Sequence, residues 1–100
     1  MIGVTKFSLG HDVVAAITEA KDKFRSGRLR PYNGHELSNA AAGRRGAHFL
    51  EHHVGHAHAG DSMAAGRRRL VLLIQSGRVE EMYFSDDHYR AGSWLRILDF

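Results

Sequence analysis

Between Leu70 and Phe84 the chain carries a short continuous apolar run, Leu70-Val71-Leu72-Leu73-Ile74, then Ser76-Gly77, then the β-prone segment Val79 to Phe84. Two such runs joined by a Ser-Gly turn signal read as a hairpin. Any fold open to this chain must therefore contain paired antiparallel strands. The segments around the hairpin are assigned by their own periodicities. Ile2 to Leu9 has a β-branched bias and reads as a first strand ended by Gly10. From Asp12 onward Val13, Ile17, Ala20 and Phe24 fall at helical spacing. Lys21, Lys23 and Arg25 suit the C-terminal end of that helix, and Gly27 is its stop.

Arg28 to Tyr32 is a basic connector holding the only proline, and Asn33-Gly34-His35-Glu36 has the form of a capping box. Further helix is expected over roughly Gly34 to Ala42 and Ala47 to His58, with a loop or a single turn from Asp61 to Gly66. A final strand runs from Trp94 to Phe100, with Leu95 and Ile97 on one face and Trp94, Leu98 and Phe100 on the other. The expected fold class is α+β: a small antiparallel sheet in the order β-α-α-β-β-β, with two or three helices packed on one face. One hundred residues of which 43% are hydrophobic suit one modest core, so residues 1–100 are expected to form a single domain.

Composition narrows the chemistry. The chain has no cysteine, which removes disulfides, thiol catalysis and Cys-type zinc sites. No run approaches the length of a membrane span and Met1 to Leu9 lacks the features of a secretory signal, so the expectation is a cytoplasmic protein with no membrane partner. Nucleotide-binding loops, nucleophile elbows and cofactor signatures are absent, and no cofactor or metal is expected. The net charge of +3 is unevenly spread: from Lys21 to Arg69 ten Lys and Arg face four acids, whereas the flanks are acidic. That segment also holds six of the eight histidines, so mild acid raises its charge further. An anionic partner follows from this distribution.

The densest motif is His48-Phe49-Leu50-Glu51-His52-His53-Val54-Gly55-His56-Ala57-His58. Wound as a helix, it places Ala47, Leu50, Val54 and Ala57 on one side and a ladder of His48, His52 and His56 on another. Such a ladder is about 12 Å long, so at most two of its rings reach one metal ion. The stretch Ala47 to His52 contains the pattern His-x-x-Glu-His and resembles the zinc-binding helix of inverzincin peptidases, such as the insulin-degrading-enzyme family. That resemblance implies His48 and His52 as ligands and Glu51 as general base of a metal hydrolase. It covers a single turn and a half of chain, and the family draws its third ligand, a Glu, from much farther downstream.

A second likeness is architectural. Small basic proteins with this element order include ribonuclease toxins of the RelE type, and that similarity implies RNA cleavage by His88, Tyr89, Arg90 and Tyr83 as base, proton donor and phosphate clamp. The arginines supply the alternative. Arg44-Arg45 and Arg67-Arg68-Arg69 each follow Ala-Ala-Gly and, with Arg28 and Arg30, offer cationic points for phosphate or carboxylate oxygens. The leading expectation is a small basic interaction protein without catalytic activity. It docks on an anionic partner, whether nucleic acid, a ribonucleoprotein or an acidic protein surface. Its binding residues are Arg28, Arg30, Arg44, Arg45, Arg67, Arg68, Arg69, His48, His52 and His56. Its size and composition also suit a phage or mobile-element inhibitor of a larger host complex.

Overall fold

The computed structural model describes residues 1–55, 68–87 and 93–100. Within them the chain forms β1 (Ile2–Val4), α1 (His11–Arg25), β2 (Arg30–Pro31), β3 (His48–His53), β4 (Arg69–Gln75), β5 (Arg78–Ser85) and β6 (Trp94–Ile97). Short 3-10 turns occupy Lys6–Leu9 and Ser38–Ala41. The strands make one six-stranded sheet in the order β1-β6-β5-β4-β3-β2. It is mixed, because β1 pairs in parallel with β6 whereas the other neighbours are antiparallel.

The apolar run lies near the middle of this sheet. Leu70, Val71, Leu72 and Leu73 are fully buried and Ile74 is 2% exposed, so β4 is covered on both faces. Successive side chains of a strand point to opposite sides. Leu70, Leu72 and Ile74 accordingly join Val13, Ala16, Ile17 and Ala20 of α1, together with Val54, Met82, Phe84 and Ile97. Val71 and Leu73 point the other way and pack with Tyr32, Leu37, Tyr83 and Trp94. Ala16 and Ala20 on the buried stripe of α1 let the helix approach the sheet closely.

The turn between β4 and β5 is built from Ser76 (φ 54°) and Gly77 (φ 74°), both left-handed. Two consecutive residues of this kind match the right-handed twist of the flanking strands. Beyond it the register shifts: Ile74 sits opposite Val79, and Leu73 opposite Glu81. Glu80 is thus the extra residue of a bulge.

The sheet is mixed where an antiparallel one was expected, the order is β-α-β-β-β-β-β and not β-α-α-β-β-β, and three further sequence expectations need correction. First, the segment expected as helix from Ala47 to His58 is strand β3 over its described part, paired from His48↔Ile74 to His53↔Arg69. The cause is β4: a buried strand must satisfy its backbone groups on both edges, β5 serves one edge, and Phe49 to His53 serves the other. Second, helix over Gly34 to Ala42 is reduced to one 3-10 turn, so among the described residues there is a single α-helix. The glutamate of the supposed capping box is engaged elsewhere, since the Tyr32 hydroxyl donates to Glu36 Oε2 at 2.6 Å. Gly34 lies against that Tyr32 ring, where a Cβ would collide with it. Third, the sheet is not covered on one face alone. Ala40, Ala41, Ala47 and Phe49 pack on the second cluster, so the irregular segment after β2 closes the side opposite α1.

Replacing Leu72 by Ala removes side-chain volume from the centre of this arrangement, and the loss expected is about 2–5 kcal/mol. Urea denaturation checks it through a lower midpoint at unchanged slope.

Candidate anion-binding cleft

The end of α1 is set by its sequence. Gly27, at φ 69°, takes the left-handed position after the helix. Its N–H donates to the Phe24 carbonyl at 3.1 Å and the N–H of Arg28 donates to the Lys23 carbonyl at 2.9 Å. This pair of bonds is a Schellman termination, and it folds the chain back so that Arg28 starts beside Lys23. Leu29 then packs on the helix-side core, and Arg30 pairs with Glu51 in the β2–β3 ladder. Three cations from the last helical turn, the connection and the edge strand are thereby gathered against the end of β3.

The result is a cleft of about 350 Å³ lined by Lys23, Arg28, Leu29, Arg30, Glu51, His52 and His53. Among the described residues, Glu51 is the one carboxylate in its wall. Its partner Arg30 is 3.9 Å away, a loose pair on a guanidinium that is 72% exposed. The Arg28 Nε donates to Ser26 Oγ at 2.9 Å. Lys23 lies 3.3 Å from Glu19, one turn earlier on α1. Exposed pairs of this kind contribute about 0–1 kcal/mol each, little enough for a stronger anion to replace them.

The two imidazoles differ in setting. His52 faces α1 and is buried, with Nε2 3.1 Å from Glu19 Oε1. His53 is half-buried, and its ring centre lies 4.8 Å from that of His52. Burial pushes the His52 value below the usual imidazole range, the Lys23 charge adds to this, and the Glu19 carboxylate opposes it. His53 is lowered in the same way, first by burial and then by Lys23, with Arg69 and Arg30 contributing. Glu19 is itself held below the ordinary carboxylate range, chiefly by its bond with Lys23. At neutral pH the pair is therefore uncharged and able to accept protons.

The structure sorts the residues expected to bind. Arg28, Arg30 and His52 meet in the cleft. Arg44 is bound to Glu81 at 2.7 Å, with Arg96 3.8 Å from the same carboxylate, and pins the segment after β2 to the sheet. Arg45 sits at the opposite end of β4, where its carbonyl accepts from Gln75 at 3.3 Å. Arg68 is paired with Asp12 at 2.5 Å, and Arg69 is buried with Nη1 donating to the Arg68 carbonyl at 2.9 Å. His48 is exposed at the far end of β3, opposite Ile74. Arg67 and His56 lie outside the described residues, as do His88, Tyr89 and Arg90.

The histidine ladder does not form. On a strand, His48 and His52 are about 13 Å apart and Glu51 points to the opposite face from both, which is incompatible with the chelating helix that the His-x-x-Glu-His pattern implies. Among the described residues no group of three His, Asp or Glu is placed to hold a metal ion. Tyr83, expected at a ribonuclease surface, is buried in the second cluster. Lys23 and His53 also line the cleft and Glu19 lies beside His52, though none of the three was among the residues expected to bind. The signal for Lys23 was its place three residues before Ser26-Gly27, where a helix that reverses must bring it next to Arg28. Comparison with known protein families, characterised proteins and solved structures finds no match.

The sign of the pH dependence follows from the imidazoles. The unfolded chain takes up protons near pH 6.5, whereas the folded His52 and His53 resist them. Below about 6.5 the unfolded state binds more protons, so stability is lost as pH falls through that window. Urea midpoints measured from about pH 7.5 down to about 5 should fall, and His52→Gln should show a shallower decline.

Proposed function

We propose that this protein docks on an anionic partner through the cleft, and that the groups it engages are nucleic-acid phosphates. The observation that carries the reading is the convergence of Lys23, Arg28 and Arg30 with two imidazoles around one carboxylate. Those cations come from the end of α1, the connection and β2, which the helix termination and the β2–β3 ladder hold together. Arginine forks meet phosphate oxygens through paired hydrogen bonds, and Lys23 adds a point charge beside them. Among the described residues no stacking platform accompanies the cleft, since Leu29 is its one apolar lining residue. Docking of this kind is directed at the backbone and tolerant of sequence.

Fluorescence anisotropy with short labelled RNA and DNA at two salt concentrations tests the reading. For single strands each lost phosphate contact lowers the log–log salt slope by about 0.7. Arg28→Gln and Arg30→Gln should each weaken binding several-fold and reduce that slope, while Arg45→Gln, at the far end of β4, should leave both unchanged. Equal loss in all three variants contradicts a role for the cleft. Absence of binding to either nucleic acid removes the phosphate reading and leaves an acidic protein surface as the partner.

A further inference from the structure

We propose that the cleft captures a single phosphate group as a tetrahedral oxyanion, and that capture brings protons onto the His52–His53 pair. The inference rests on the docking reading and names the ligand group and its control. Lys23 on α1, Arg28 in the connection and Arg30 on β2 approach the cleft from three elements. A tetrahedral anion presents oxygens to donors arriving from three directions, whereas a planar carboxylate has two oxygens in one plane. A cavity of about 350 Å³ takes one phosphate and its attached atoms.

Among the described residues, charged groups from several elements bear on the protonation of the imidazoles. From α1 come Glu19, 3.1 Å from His52, and Lys23. From β2 comes Arg30, from β4 Arg69, and from β3 itself Glu51 in the cleft wall. Arg28 completes the wall from the connection. His53 also borders a second cleft with Asp12, Glu19, Ala15, Ala16 and Gly55. With the cleft empty, burial and the cations hold both rings neutral. A bound phosphate offsets those cations and places negative charge beside the rings, which favours their charged form. Protonation and anion binding then strengthen each other, as linkage requires.

Sulfate is the probe, because it is tetrahedral and keeps its charge across the imidazole range. Ring resonances of His52 and His53 are followed by NMR through pH titrations with and without sulfate, at ionic strength held constant with chloride. The expected result is a rise of about one pH unit in both midpoints, equivalent to about tenfold tighter sulfate binding for each proton. The rise should vanish in a Lys23→Gln, Arg30→Gln double variant whose backbone spectrum stays dispersed. Unmoved midpoints, or the same rise in the double variant, overturn the proposal. Nucleic acid that binds through the cleft without moving the midpoints overturns it while leaving the docking reading in place. Loss of both removes that reading as well. A nucleoside 5′-monophosphate and a dinucleoside monophosphate then distinguish a terminal from a backbone phosphate, and binding of neither overturns the proposal.

Discussion

A strand whose five central residues, Leu70 to Ile74, are all apolar and buried cannot lie at the surface of a sheet or at its edge, and β4 imposes both demands on the remaining chain. Its side chains need cover above and below, and its backbone needs a partner on each side. Leaving either edge open would strand buried peptide groups at about 1–3 kcal/mol each. The Ser76-Gly77 turn delivers β5 to one edge with no search through distant sequence. The other edge is filled by β3, which pairs with β4 over six residues. Helix α1 supplies the cover on one face, and the segment from Tyr32 to Phe49 supplies it on the other. The Arg44–Glu81 pair, with Glu81 largely buried, fastens that second cover to β5.

Local signals made the hairpin and α1 legible in the sequence. Ser76-Gly77 between two apolar runs, and the apolar stripe Val13, Ile17, Ala20 and Phe24 ending at Gly27, each specify structure without reference to the rest of the chain. The histidine segment was not legible for the opposite reason. Ala47 to His53 has no β-branched residue, and the apolar pair Phe49-Leu50 fits either period. What decides it is β4, twenty residues later, whose open edge overrides the local preference for helix. The same non-local cause hid part of the site. Lys23 read only as a cation suited to the helix dipole, and His53 lay outside the expected ladder of His48, His52 and His56. Their proximity appears only when β3 is placed beside the end of α1.

The cleft lies at the β2 edge of the sheet. Strand β2 is two residues long and ends at Pro31, and its Arg30 is exposed. Short length, proline and positive charge all discourage edge-to-edge pairing with other chains. At this edge the cations that protect the sheet also face an anion-sized space. By contrast, Arg44, Arg68 and Arg69 are engaged within the molecule, so the basic character of the middle segment is divided between holding the fold and presenting charge. No helix of the described residues is long and apolar enough to cross a membrane.

Backbone amide NMR of the protein titrated with a short single-stranded oligonucleotide tests the central claim most directly. The account predicts shifts concentrated at Lys23, at Arg28 to Arg30 and at Glu51 to His53, the residues that α1, β2 and β3 bring together. Shifts centred on Arg45 and His48 at the far end of the sheet, or spread evenly over the surface, would contradict it.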